Sequence, residues 1–254
     1  MTSFKQRIYR FIRRFTREYF EPINLLRSIL AYPQFVKDLY NYFRMEGAEP
    51  FRLFDIYPCL LERTMTTPFD AHYFYQDTWA FEKIYESKVQ HHVDVGSTVF
   101  FVGMLSKVTN VTFIDIRPFE GKLDRLECKK ADVRSMPYDD NSVQSLSCLN
   151  VAEHIGLGQY GESLDPFGTQ NAIKELSRVL AVNGNLYFSV PIGKPRLLFN
   201  GYRSHSPQQI LDYFNGLDLV ELSGITDDRV FIRNIDIGIL EKSHYACGLF
   251  HFRK

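Results

Sequence analysis

The chain has little cysteine: four residues, at 59, 128, 148 and 247, and no CxxC pair. That spacing offers neither a disulfide framework nor a zinc site, so it predicts a reducing compartment and no bound metal. Cys128 and Cys148 fall in or beside apolar stretches, where a free thiol behaves as a small apolar side chain. No uncharged apolar run approaches the ~20 residues of a membrane span. Arginines interrupt the N-terminus where a secretory signal needs a continuous apolar segment. These absences predict a cytoplasmic protein. Net charge is also zero. The basic residues that do cluster sit on one short element, a poor footprint for nucleic acid, and none is expected as a partner.

What is present is a globular composition, 45% apolar and 24% charged over 254 residues, enough for one substantial core with an extension. Residues 1–45 carry nine Lys/Arg against three acids, net +6, which leaves net −6 for the rest. This asymmetry divides the chain into a basic amphipathic helical extension, 1–45, and an α/β domain, 46–254. Ser3 can cap a helix to about Phe20, with Phe4, Ile8, Phe11, Ile12, Phe15 and Tyr19 on one face and arginines over most of the remainder. Glu21-Pro22 ends it, because the residue before proline avoids the helical region. A second amphipathic helix is predicted over Ile23 to Arg44, kinked or broken at Pro33. A basic helix with an aromatic face can lie peripherally on an anionic membrane, here through residues 3–20. The same face can equally pack on the rest of the chain or on a partner subunit. Oligomeric state is not legible.

Residues 46–70 hold Gly47, Pro50, Pro58 and Pro68 and read as an irregular connector. Thr67 or Asp70 can start the next helix, through Trp79 and Tyr85. His92-Val93-Asp94-Val95-Gly96-Ser97 then reads as a strand stopping at a glycine, followed by a helix-like run from Thr98 to Lys107. Val111 to Asp115 is a second strand, ending in an acid 21 positions after Asp94. Strand, tight turn, helix and strand with a terminal acid make a nucleotide-binding βαβ layout. Further strands are expected at 129–133, 142–149, 185–190, 217–222 and 245–252. Helices are expected from Thr169 to Asn183-Gly184 and from Ser206-Pro207 to Phe214. Alternation of this kind implies a mostly parallel sheet with ligands beyond the strand carboxyl ends.

Gly96 lets the backbone approach a ligand because it lacks a Cβ. Asp115 can take both ribose hydroxyls; it can also cap a helix or pair with Arg117. Asp132 can accept an adenine amino group or serve as a turn acid. Gly156, Gly158 and Gly161 spell GxGxxG, but no strand ends directly before them and Asp165-Pro166 intervenes before any helix. A dinucleotide turn is therefore rejected and a loop over the site expected. Within that loop, Glu153 and His154 are the candidate catalytic pair, His154 as a base. Ordering the loop by hydrogen bonds is the competing role. Tyr160, Asn200 and Arg203 are candidate acceptor contacts, and Glu162 and Asp165 are further polar positions.

From about Phe69 to Phe214 the chain resembles the class I S-adenosylmethionine-dependent methyltransferases, most closely the uncharacterised family called domain of unknown function 268. The resemblance rests on Tyr73-Phe74-Tyr75-Gln76-Asp77, the stretch from His92 to Ser97, Ile114-Asp115-Ile116-Arg117-Pro118, Ser145 to Gly158, and Ser189-Val190-Pro191-Ile192-Gly193. It implies a Rossmann-like sheet of seven strands, mostly parallel with the last antiparallel, and S-adenosylmethionine as cofactor. The implied cofactor contacts fall on Asp94, Gly96, Asp115, Asp132 and Asn150, with Ser97, Ile116 and Val133 beside them. The resemblance further associates bacterial members with surface-polysaccharide synthesis. The chain departs from the general pattern at the glycine-rich turn, where Thr98-Val99-Phe100-Phe101 follows Gly96-Ser97. Val99 and Phe100 can narrow the methionine end of the pocket. The expected activity is methyl transfer to a hydroxyl of a sugar or glycan intermediate. The rival is a non-catalytic domain of the same fold, recruited to a membrane or partner by its N-terminal helix.

Overall fold

The computed structural model describes residues 22–254. The helix expected over 3–20, with its membrane contact, lies outside them. The chain divides into two compact units after Pro68. In the first, α1 (Pro22–Tyr42) continues through Pro33 instead of breaking there. An interior proline removes one hydrogen bond and strains one turn, but the turns on either side keep theirs. Leu26, Ile29 and Leu30 on α1 are exposed. Phe43 and Phe51 stack at 3.9 Å just beyond it. Among the described residues no helix is long and apolar enough to cross a membrane.

The second unit, from Phe69 on, is built on one sheet. β1 (His91–Val95), β2 (Asn110–Asp115), β3 (Leu126–Lys130), β4 (Val143–Leu149) and β5 (Leu180–Ile192) run parallel. β6 (Arg196–Leu198) and β7 (Tyr202–Ser204) form a separate hairpin. β8 (Asp218–Ile225), the two-residue β9 (Phe231–Ile232) and β10 (Ala246–Arg253) finish the main sheet in the order β3-β2-β1-β4-β5-β10-β8-β9. β10 is antiparallel to both β5 and β8. The expected seven strands with an antiparallel last strand are there, and β9 adds a short eighth at the edge.

Helices cover both faces. α2 (Ala71–Ser87) and α3 (Val99–Leu105) bury Trp79, Ile84, Phe101 and Leu105 against Phe113, Tyr187 and Leu249. α4 (Gly168–Val179), α5 (Pro207–Tyr213) and α6 (Ile237–Lys242) bury Ile173, Leu176, Ile210 and Leu240 with Val93, Ile114, Phe188 and Phe250. Each large apolar side chain so buried contributes roughly 1.5–3 kcal/mol. The helix starts are local. Asp70 accepts from His72 N–H at 2.9 Å to cap α2. Ser206 and Gln209 make a reciprocal capping box at α5, with Pro207 first in the helix. One expected stop moves. Asn183-Gly184 does not end α4, which stops at Val179; it lies inside β5, where Asn183, at φ +62°, donates its N–H to Lys254 O at 2.7 Å. The chain's last carbonyl claims that N–H, so the pair serves a strand irregularity rather than a helix cap.

Candidate functional site

Parallel strands deliver their carboxyl ends to one edge of the sheet, and there the second unit opens a cavity of about 190 Å³. Gly96 follows β1 at φ +64°, its N–H donating to Ile114 O at 2.9 Å. A Cβ at this position would lie 3.1 Å from Val151 Cγ2 and 3.5 Å from Asp115 Oδ2. Conformation and crowding both select glycine. Thr98 caps α3, and its hydroxyl donates to Asp77 Oδ2 at 2.7 Å, tying α2 to the turn. Val99 and Phe100 are 48% and 82% exposed and are not among the residues that line the cavity.

Six of the eight residues expected to hold a cofactor line this cavity: Gly96, Asp115, Ile116, Asp132, Val133 and Asn150. Asp94 and Ser97 do not; they brace the turn from below. Asp94 is wholly buried and accepts from Ser97 N–H at 3.1 Å, from Ser97 Oγ at 2.6 Å and from Ser147 Oγ. Burial raises its carboxyl to about 7 against the lowering pull of those hydroxyls. Ser147 continues to His92 Nε2 at 2.8 Å, and His92 Nδ1 to Ser145 Oγ at 2.7 Å, so the strand face beneath the turn is a hydrogen-bonded chain. His92 is held neutral by burial, its pKa pushed down to about 3.

Asp115 uses Oδ1 to accept the Arg117 backbone N–H at 2.6 Å. Arg117's guanidinium does not pair with it but lies 4.4 Å over the Tyr160 ring. Asp132 is also at a turn, and Arg134 engages both of its oxygens: Nε to Oδ1 at 3.0 Å and Nη2 to Oδ2 at 2.7 Å. Those hydrogen bonds hold Asp132 below the usual carboxylate range. Asn150 adopts a left-handed conformation, φ +53°, with its N–H on Ser189 O at 3.0 Å.

The loop after β4 is rigidly built. Gly156, Gly158 and Gly161 all have positive φ, and a Cβ on Gly156 would meet Asp165 O at 2.3 Å. Glu162 accepts N–H groups from Leu157, Gly158 and Tyr160 at 2.7–3.1 Å. Although burial opposes it, this backbone donation keeps the Glu162 carboxylate below its ordinary pKa. His154 lines the cavity with Nδ1 at 2.6 Å from Gly201 O. A carbonyl only accepts, so Nδ1 carries the proton and Nε2 is left with its lone pair. Burial lowers the His154 pKa, which keeps the ring neutral. Nε2 sits 3.5 Å from Oε1 of Glu153. Glu153 does not line the cavity; it is 2% exposed, and burial pushes its carboxyl up to about 8.

Tyr160 lines the cavity on the Asp115 side. Asn200 and Arg203 do not line it. Asn200 Nδ2 donates to Leu157 O at 3.3 Å, and Arg203 donates to Ile155 O at 2.6 Å and Asp165 O at 3.0 Å. Both staple the β6–β7 hairpin to the loop. Sequence reasoning named Glu162 as a polar position on the loop but passed over Arg117 and Arg134 as cavity residues. A signal existed for the two arginines, each standing two positions after an acid at a strand end.

With this geometry in view, residues 118–241 match the family described as Caenorhabditis protein of unknown function, DUF268. Among solved structures, NodS, an N-methyltransferase of Bradyrhizobium japonicum WM9 in complex with S-adenosyl-L-homocysteine, is similar at a TM-score of 0.52 and 14% identity. The match covers 86% of this chain and 97% of NodS. A Galdieria sulphuraria protein, assigned provisionally as a sarcosine dimethylglycine methyltransferase, superposes at 0.53 with 13% identity over 71% of this chain and 86% of its own. The chain has the class I methyltransferase fold. At such identities the likeness speaks for architecture, and the activity has to be argued from the site. No curated protein sequence matches the chain.

Proposed function

We propose that this chain is an S-adenosylmethionine-dependent methyltransferase that methylates a hydroxyl of a sugar or surface-glycan intermediate. The observation that carries the reading is convergence: Gly96, Asp115, Asn150 and His154 meet at one cavity beyond the parallel strand ends. The residues fit the cofactor. Gly96 admits backbone approach, Asp115 Oδ2 faces the turn ready for ribose hydroxyls, and Ile116 and Val133 give an adenine apolar neighbours. When bound, the cofactor supplies an electrophilic sulfonium methyl, so the protein's task is alignment and proton removal. His154 accepts the hydroxyl proton at Nε2 while Gly201 O holds Nδ1–H and fixes the tautomer.

Calorimetric titration with S-adenosylmethionine and S-adenosylhomocysteine tests the first half. Saturable binding is expected, and none from well-folded protein would favour the non-catalytic reading. That reading drew on the glycine-poor turn, whose Val99 and Phe100 are exposed and are not among the residues that line the cavity. For the second half, His154→Ala should lower kcat by about 10²–10⁴ at saturating acceptor; a nearly unchanged kcat would remove its role as base. Peripheral membrane contact through residues 3–20 belongs to the same proposal. Vesicle co-sedimentation should weaken when the chain is started at Glu46, and equal binding would exclude it.

A further inference from the structure

We infer that Glu153, Tyr73, Tyr202 and Tyr245 make up an acceptor subsite that takes the ring of a neutral sugar, with the Glu153 carboxyl on one of its hydroxyls. The inference rests on the methyltransferase reading above for its direction, and on a different set of residues for its content.

Glu153 Oε2 is buried and has no hydrogen-bond partner, while Oε1 is next to the His154 ring. An unpaired buried oxygen is expensive, and it is retained where a ligand completes it. Arg203 N–H bonds Glu153 O and so sets β7 beside it, and tyrosines from three separate elements gather near that strand. Tyr73 comes from the first turn of α2, Tyr202 from β7 and Tyr245 from the residue before β10. The Tyr245 ring lies 5.6 Å from Tyr202 and 5.1 Å from His72. Burial raises the phenol pKa of Tyr73, to about 12, and of Tyr245. The Glu153 charge adds to the rise at Tyr73, and at Tyr245 it adds after the Tyr202 and Cys247 charges, which places Glu153 within electrostatic reach of both rings. Yet Tyr73 and Tyr245 stay 43% exposed. Their positions are fixed from behind: Asp227 accepts the His244 and Tyr245 N–H groups at 2.8 Å each, and Arg203 N–H holds Glu153 O at 3.0 Å.

Charge narrows the ligand class. Arg203, the cation on this hairpin, has its guanidinium committed to backbone carbonyls and is not available to an anionic acceptor. Burial keeps the Glu153 carboxyl protonated at neutral pH, a group that both donates to and accepts from a hydroxyl. A pyranose offers a matching surface, an apolar C–H face for the tyrosine rings and a rim of hydroxyls for one carboxyl. An ammonium ligand would instead require the acid to ionise.

Saturation-transfer NMR on the full chain tests this, using methyl glycosides of the common hexoses at about 10 mM, a range suited to millimolar affinities. Spermidine serves as the cationic comparison. Each is run with and without S-adenosylhomocysteine, whose own binding is measured separately. At least one glycoside should receive saturation at its ring C–H protons. The signal should fall by about fivefold or more in Tyr73→Ala and in the near-isosteric Glu153→Gln, with thermal melts showing both variants folded. No transfer to any glycoside, transfer unchanged in both variants, or Glu153-dependent binding of spermidine alone would each overturn the subsite. If S-adenosylhomocysteine fails to bind while a glycoside does, the subsite stands and the cofactor reading falls; the reverse result separates them the other way.

Discussion

The turns after β2 and β3 are written almost alike, Asp115-Ile116-Arg117 and Asp132-Val133-Arg134. Both acids accept the backbone N–H two residues on, at 2.6 and 2.8 Å, and both line the same cavity. They then part. Arg134 folds back onto its own acid and reaches on to Asp165 and Ser163. Arg117 goes to the face of Tyr160 and leaves Asp115 Oδ2 toward the glycine turn. The lesson is that the partner of the arginine decides the use of the acid. One turn keeps an acceptor for a ligand, and its near copy spends both oxygens on internal structure.

The largest expected effect tests that division directly. Asp115→Ala should weaken S-adenosylhomocysteine binding by more than about a hundredfold, since two hydrogen bonds to a charged group are lost, each worth about 1.5–3 kcal/mol. Asp132→Ala should weaken it by no more than about fivefold; equal losses in calorimetry would break the comparison.

Stability should show the reverse ranking. Arg134→Met strands Asp132 and should cost about 1–2 kcal/mol, lowering Tm by about 3–6 °C. Arg117→Met removes only a ring contact and should stay within about 0.5–1 kcal/mol. Scanning calorimetry of the two variants side by side gives the answer.

Glu153 sharpens the contrast, because it is an acid with no arginine at all. Its carboxyl rises from the ordinary 4.5 to about 8 on folding. Between those values the folded chain holds a proton that the unfolded chain has released. Stability is therefore greatest at the low end of that window and falls as pH rises toward 8. Buried neutral histidines such as His92 act in the opposite direction and Asp94 in the same one, but both are common to the chain and its Glu153→Gln variant. Denaturant titrations from pH 5 to 8 should therefore show the Glu153 contribution as a difference in slope between the two, the chain losing stability relative to the variant as pH rises. An unchanged slope in the variant would mean that Glu153 is not the buried acid responsible.

The smallest effect concerns the turn after β1. Phe100→Gly restores a glycine to it and should leave S-adenosylhomocysteine affinity within about twofold, because the ring it removes faces solvent. The change should appear as a loss of about 0.5 kcal/mol from helix propensity in α3. Tighter binding by about tenfold would show that the ring does obstruct the pocket.

Much of this molecule is legible in its residues one after another. The apolar stretch to Val95, the glycine after it and the acid ending β2 define the βαβ unit, because strand, turn and cap preferences act over a few neighbours. The Ser206-Pro207 start and the rejection of Gly156-x-Gly158-x-x-Gly161 as a dinucleotide turn are local in the same way: the glycines shape a loop around Glu162. Arg203 and Asn200 were legible as polar residues after β5, but not as staples, since the carbonyls they bind belong to the loop about 40 residues earlier.

By itself, then, the sequence determined the order of strands and helices, the glycine turn and the acids at the strand ends, all set by short-range backbone preference and hydrophobic spacing. Only the tertiary structure decided which acid stays available, that Asp94 is a buried brace, that His154 carries its proton at Nδ1 and that Glu153 is buried with one oxygen unpaired. Those outcomes depend on burial and on hydrogen bonds between elements far apart in the chain. A partner brought in by the sheet alters a side chain's solvation and geometry in ways that its sequence neighbours do not encode.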